Sequence, residues 1–403
     1  MKKLERAIGN FVTGEKFWDD EGAHILMAAP RRIGKTSLMR EVALRIYDRY
    51  YCLHVDLQKS ESPADAVAEL GKATRPYEKL WGKTRGIFQN ILGRVTENIE
   101  SIGVEDLTVT LRSGMTSVDW QSKGDQLFST LSDTDMPVIV FFDELPILIN
   151  RMLKGKEYKI TPERKKATDS FMSWIRDIST RHSGKIRLVI TGSIGIEPAL
   201  RQADLSATLN TFTPFILPPW NKETAIECLQ ALANRYEISF QENALEAIIE
   251  RLGYLIPHHV QMFFDNIYTD CRLNSSMEVT KRRVDEIYNA KMLGIQGHAE
   301  LSHMEERLKI AFGMDLYPLA LEIITETAVT GSLDSQKATK ICDSYGIEDR
   351  SSKDILRDIL EVLQHDGYLK QEGASFVFVS NLLRDWWKAH FGFGYTPVSE
   401  RRP

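Results

Sequence analysis

The sequence predicts an α/β fold: a parallel sheet with helices on its faces, followed by helical domains. Three observations predict it. An apolar run from Ile25 to Ala29 precedes a turn-like Ala-Pro-Arg-Arg-Ile-Gly, a helical pattern from Lys35 to Tyr47 and a second apolar run from Tyr51 to Leu57. That succession is one strand, loop, helix, strand unit, whose handedness favours parallel pairing. The run Val138 to Phe142 is apolar at every position, as in a strand covered on both faces. Finally, Pro218 and Pro219 remove two adjacent backbone donors, so no ladder continues through them and a domain boundary is expected there.

The remaining elements follow in order. From Glu61 to Asp135 the pattern is mostly helical, broken by Gly103 and by Leu107 to Leu111, where apolar residues alternate with a period of two. This predicts a helical insertion at 61–135 with a small strand pair. The sheet resumes at Val138–Phe142, then at Ile186–Thr191 after a helix from Pro162 to His182, and ends with Phe212–Leu217. Asn221 is placed to cap the next helix, with Glu223 and Glu227 early in it, where the helix dipole favours acids. The helical pattern to Leu293 predicts a lid domain at 219–297. Beyond His298 come helices near Tyr317–Val329, Leu333–Tyr345 and Lys353–Gln364, an Asp366-Gly367 turn, an alternating stretch from Tyr368 to Val379 and a helix from Asn381 to Phe391. Three helices and then a two-stranded ribbon is the order of a winged helix-turn-helix, expected at 298–396. The last residues, 397–403, are expected to fray. Trp386 and Trp387 are expected to pack the last helix onto the wing rather than to stack on bases.

Bulk properties narrow the function classes. A chain of 403 residues exceeds one ordinary core, so the region 1–218 and at least one further domain are expected. With 43% apolar and 27% charged residues, neither disorder nor a membrane bundle is indicated. A net charge of −5 gives no global attraction to nucleic acid or to an anionic membrane. Cys52, Cys228, Cys271 and Cys342 lie far apart, which argues against zinc and against a disulfide framework. No segment is long and apolar enough for a signal peptide or a bilayer span, so a cytoplasmic protein with no membrane partner is expected.

The sharpest chemical signal is Ala29-Pro30-Arg31-Arg32-Ile33-Gly34-Lys35-Thr36, which has the spacing of a P-loop except that its first glycine is Ala29. In such a loop, successive backbone N–H groups point into one concavity at a helix N-terminus, where the helix dipole also favours phosphate. Pro30, Arg31, Arg32 and Ile33 would line the concavity, Gly34 lets the backbone approach closely, Lys35 reaches the outer phosphates and Thr36 coordinates Mg2+. Pro30 pushes Ala29 toward extended geometry, so no positive φ is expected there. The second signal is Val138-Ile139-Val140-Phe141-Phe142-Asp143-Glu144, a buried strand ending in two carboxylates at the sheet edge where open α/β folds bind ligands. Asp143 would hold Mg2+ and Glu144 would polarise the attacking water. Pro146 is read as structural. The third signal is Thr191-Gly192-Ser193, a hydroxyl pair able to sense the γ-phosphate or to serve as ordinary turn chemistry.

Phe11-Val-Thr-Gly-Glu-Lys-Phe-Trp, the loop through Leu38, Phe-Phe-Asp-Glu-Leu-Pro, Thr-Gly-Ser and Phe-Ile-Leu-Pro-Pro-Trp together resemble, in order, the archaeal-type ATPase branch of the AAA+/STAND P-loop NTPases. The likeness covers most of the chain. It implies ATP and Mg2+ as cofactors and an extra strand between the P-loop strand and the acidic strand. It also assigns phosphate and magnesium roles to Gly34, Lys35, Thr36 and Ser37, the acidic motif to Asp143 and Glu144, a first sensor to Thr191 or Ser193, and a base pocket to Val12 and Gly14. His258 and His259 are read as helix-start or surface residues, with replacement of a sensing arginine as the alternative. Arg181, Arg187 and Arg201 lie near the right edge for an arginine finger, each otherwise a solvated charge.

Two functions are weighed. One is an ATP-driven molecular switch, an ATPase that regulates a protein partner or effector through its lid and winged helix, with homo-oligomers allowed. The other is a DNA-binding ATPase of origin-recognition or remodelling type. In the candidate recognition helix, Lys353 and Arg357 are offset by Asp354, Asp358 and Glu361, which disfavours approach to phosphates. Lys281-Arg282-Arg283 is the compact basic cluster near the lid, and such runs are usually solvated faces.

Overall fold

The computed structural model describes residues 24–88, 115, 119–346 and 351–401. Its described residues fall into two compact units, one within Met1–Ala28 and Lys35–Leu217, the other within Ala29–Gly34 and Pro218–Pro403. The expected strand pair near 107–111 lies outside the described residues, as do Val12 and Gly14.

The first unit is built on five strands, β1 His24–Ala28, β2 Tyr51–Asp56, β3 Val138–Asp143, β4 Ile186–Thr191 and β5 Phe212–Ile216, in the order β2-β3-β4-β1-β5. Every neighbouring pair is parallel. Because β4 lies between β1 and β3, the extra strand implied by the resemblance is present. In the register Asp56 faces Asp143 and Met27 faces Thr191. The carboxyl ends of the strands therefore line up along one edge, the edge where ligands of open α/β sheets bind.

β3 has five fully buried residues before a half-buried Asp143, and β4 is buried throughout. Helices Pro63–Ala73, Asp119–Ser132, Leu145–Lys154 and Pro162–Arg181 supply the cover. One apolar core joins Leu53, Val140 and Leu188 of the sheet to Val67, Phe128 and Ile175 of those helices. Burying each such side chain contributes about 1.5–3 kcal/mol. The helix Pro63–Ala73 starts where Ser62 and Asp65 form a capping box with Pro63 at its first position, which satisfies two otherwise unpaired amide donors. Arg187, expected to be solvated, is instead buried in β4, its guanidinium donating to the Ser183 carbonyl. Its place in a central strand leaves the side chain no route to water.

In the second unit, Asn221 caps the helix Lys222–Tyr236, its side chain accepting from the Thr224 amide at 2.8 Å. Helices Ala244–Leu252, Pro257–Leu273 and Lys281–Ile287 follow, with β6 Ser239–Phe240 and β7 Glu278–Val279 paired in parallel. Helix Ile295–Thr330 runs across residue 298 and breaks at Gly313, which has φ 68 and ψ −175. After it come β8 Leu333–Asp334, helices Ser335–Ser344 and Ser352–His365, β9 Leu369–Glu372, β10 Ser375–Phe378 and helix Asn381–Phe391. The three strands form an antiparallel sheet in the order β8-β10-β9. Leu333 and Asp334, expected at a helix start, pair with β10 instead, and Asp334 caps the helix that follows by accepting from the Lys337 amide at 2.8 Å.

Leu229, Phe263, Ile323, Leu363 and Trp387 belong to one continuous core. Trp386 and Trp387 are both fully buried, and Trp387 donates to Thr325 Oγ1 at 3.3 Å. At Val398 the expected frayed segment is anchored instead. Val398 is buried, its amide donates to Glu326 at 3.1 Å, and Tyr395 donates to the same carboxylate at 2.9 Å. A buried acid facing the tail holds it, and nothing in the local sequence marks that acid. The four cysteines are free. Among the described residues no helix is long and apolar enough to cross a membrane.

Candidate nucleotide site

Lys35 opens the helix Lys35–Ile46 directly after Gly34, so the first amides of that helix and its positive dipole end face the loop. The residues Ala29–Gly34 between β1 and this helix carry two left-handed backbone positions, Arg32 with φ 64 and Gly34 with φ 104. Ala29 has no positive φ, so alanine in place of the usual first glycine costs no backbone strain. Arg32 takes a left-handed backbone although it carries a side chain, and that conformation costs energy.

Around Asp143 the predicted residues converge. Thr36 Oγ1 donates to Asp143 Oδ2 at 2.9 Å, and Thr191 Oγ1 donates to Asp143 Oδ1 at 2.5 Å. Each carboxylate oxygen of the strand end thus takes one hydroxyl, from the helix after the loop and from the neighbouring strand. A magnesium ion prefers such hard oxygens and needs only one or two from protein, the rest coming from phosphates and water. Thr36 and Asp143 fit that requirement. Among the described residues no cluster of three or more His, Cys, Asp or Glu is arranged as an all-protein metal centre.

Glu144 follows at once and adopts the left-handed region, φ 61 and ψ 28, as the chain turns from β3 into the helix Leu145–Lys154. Its carboxylate makes no capping bond to its own helix. Both the amide and the hydroxyl of Ser193 donate to Glu144 Oε2, each at 2.9 Å. Thr191 and Ser193, read from the sequence as interchangeable sensor candidates, therefore serve different carboxylates. Gly192 between them packs on Pro146: a Cβ there would sit 2.3 Å from Pro146 Cγ.

Other candidates distribute as follows. Lys35 and Ile33 are buried, Pro30 and Arg31 half-buried, and Ser37 exposed. The Arg32 guanidinium bonds to the Glu300 carboxylate and, at 2.6 Å, to His258 Nε2, while His258 lies 3.3 Å from Glu300. The hydrogen bond from Arg32 holds the Glu300 carboxyl below its ordinary range, and burial together with Arg32 pushes His258 down. Glu300 carried no sequence signal, because a glutamate in a helix pattern reads like any solvated charge, although it is half-buried here. His259, read as a helix-start or surface residue, is at the helix start but buried, and burial pushes its pKa down to about 3. Arg181 pairs with Asp177 and Asp125, and Arg201 is exposed.

A five-stranded parallel sheet with a strand inserted between β1 and β3, a loop opening a helix at Lys35 and an acidic strand end bonded to Thr36 together define an α/β fold of the P-loop type. Solved structures of that fold are similar over almost the whole chain. The Walker-type ATPase of Pyrococcus abyssi is similar with a TM-score of 0.55 at 16% identity, covering 96% of this chain and 95% of that one. The Aeropyrum pernix ORC2 protein, in ADPNP–ADP complexes, is similar with a TM-score of 0.50 at 12% identity, over 97% and 93%. At these identities the likeness is one of fold. No protein-family model matches the sequence, and no curated protein matches it.

Proposed function

We propose that this chain binds ATP with magnesium, hydrolyses it, and acts as a nucleotide-driven switch on a protein partner. The observation that carries the reading is the hydroxyl–carboxylate–hydroxyl bridge Thr36–Asp143–Thr191, which joins the start of the P-loop helix to two strand ends. The Aeropyrum pernix protein of similar fold holds ADPNP and ADP, which supports an adenine nucleotide as ligand. In this reading the amides of the loop residues Pro30–Gly34 that carry N–H, with those of Lys35, Thr36 and Ser37, bind the phosphates. Lys35 sets an ammonium group on the outer ones. Thr36 and Asp143 would hold magnesium, which would supply positive charge to the phosphate oxygens. Glu144 orients the attacking water and accepts its proton.

The partner role is assigned to residues 219–297 as a helical lid and to residues 298–396 as a winged helix. On the helix Ser352–His365, Arg357 is held by Asp354 at 3.3 Å and stands 4.0 Å from Asp358. Its charge is therefore offset before any phosphate arrives, which favours protein contact over DNA. The DNA reading is tested by measuring ATP turnover and DNA affinity across salt concentrations, and a steep salt dependence with stimulated turnover would replace the partner reading by it.

Two substitutions test the nucleotide assignment. Lys35→Ala is expected to weaken ATP binding by about 100-fold or more, since a charge-assisted phosphate contact at a partly buried site is removed; unchanged affinity by calorimetry counts against the site. Glu144→Gln is expected to keep binding and to lower kcat by about 100-fold, and wild-type turnover would remove Glu144 from its role.

A further inference from the structure

We propose that Ser193 is a positioning residue for Glu144: its amide and hydroxyl together hold Glu144 Oε2, leaving Oε1 as the oxygen that takes the proton from the attacking water. The inference rests on the ATPase reading above and deepens it.

The geometry separates this role from that of a phosphate sensor. Both donors belong to one residue and converge on one oxygen at the same distance, 2.9 Å. The carboxylate is not used to cap the helix that Glu144 begins, although it stands at the capping position. A glutamate free to rotate about three side-chain bonds would seldom point correctly, and a two-pronged anchor removes that freedom. The anchor is itself fixed. Ser193 is 6% exposed, and the glycine before it lies against Pro146 so closely that a Cβ would come within 2.3 Å of the ring. Pro146 follows Glu144 by two residues, so the turn that presents the carboxylate and the turn that grips it are packed on each other. Thr191 is already engaged by Asp143 at 2.5 Å. The two hydroxyls flanking Gly192 thus divide their work, one on the magnesium-binding acid and one on the water-orienting acid.

In the step this serves, an O–H bond of water breaks and its proton passes to Glu144. The water oxygen bonds to the γ-phosphorus, and the bond from that phosphorus to the bridging oxygen breaks with its electron pair going to ADP. The balance is ATP and water to ADP, phosphate and a proton.

The test uses the full chain and compares wild type, Ser193→Ala, Ser193→Thr, Glu144→Gln and the double variant Ser193→Ala with Glu144→Gln, reading kcat, KM and the affinities for ATP and ADP. Ser193→Ala is expected to lower kcat by roughly 10-fold with KM and both affinities unchanged, and Ser193→Thr to restore most of the rate. The double variant is expected to be no slower than Glu144→Gln alone, because both changes act through one carboxylate. If Ser193→Ala keeps wild-type kcat while Glu144→Gln is inactive, the positioning role is overturned and the ATPase reading stands. Selective loss of ATP over ADP affinity in Ser193→Ala also overturns it, since that result belongs to a residue touching the γ-phosphate. A wild-type chain that binds ATP without turnover, or a fully active Glu144→Gln, overturns both.

Discussion

Gly34, at φ 104, occupies backbone space that L side chains rarely adopt, yet a Cβ built on it meets nothing within 4 Å. The glycine is therefore required by its dihedral angle and not by crowding. Gly34→Ala is expected to bend the loop away from this geometry and to weaken ATP binding by about 10-fold or more while leaving the fold intact. Calorimetry together with a thermal melt checks this: wild-type affinity at unchanged Tm would show that the loop tolerates alanine. Arg32 shows the complementary case. Its left-handed backbone is held while its guanidinium bonds Glu300 and His258, so a residue read as phosphate-lining has its side chain committed elsewhere and only its main chain remains for a ligand.

At the level of elements, the two turns that follow β3 and β4 form one structural piece. Glu144-Leu145-Pro146 and Thr191-Gly192-Ser193 are joined by the Ser193–Glu144 bonds and by the Pro146–Gly192 contact. Gly192→Ala is expected to force them apart, destabilising the protein by about 1–3 kcal/mol as in other overpacked sites and lowering kcat more than ATP affinity. A stability within 0.5 kcal/mol of wild type, on the order of a neutral surface change, with full activity would show that the packing carries nothing. The order of strands and helices in the first unit followed from apolar runs and their stops. The pairing of Thr191 and Ser193 with different acids did not, because a Thr-Gly-Ser turn reads the same whichever neighbour it faces.

For the whole molecule, two buried histidines, His24 and His259, and the half-buried His303 make stability depend on acidity. His24 donates to the Ser179 carbonyl at 2.8 Å and accepts from the Leu188 amide at 3.0 Å, and burial pushes its pKa down to about 4. Burial also takes His259 and His303 to about 3, with Arg32 adding to both. In the unfolded chain each titrates near about 6.5. Since the folded values are depressed, the unfolded state binds more protons below that point, and stability present above about pH 6.5 is lost as pH falls toward 4. For His24, 1% exposed, the loss is on the order of 2 kcal/mol between pH 7 and 5. Urea unfolding midpoints at those two values should show the decrease, and identical midpoints would place these rings in contact with water.

Sequence by itself determined the parallel sheet, the loop before Lys35, the acidic end of β3 and the stop at Pro218 and Pro219, because each is a local pattern: a run of apolar residues, a glycine before a helix, a pair of missing amides. Tertiary structure alone decided that Arg187 and His259 are buried, that Val398 is anchored to Glu326, and that Arg32 faces Glu300. These depend on which distant segment arrives beside each residue, and the partners are separated by up to 268 positions in the case of Arg32 and Glu300. Spacing along a chain carries no information about contacts at that range.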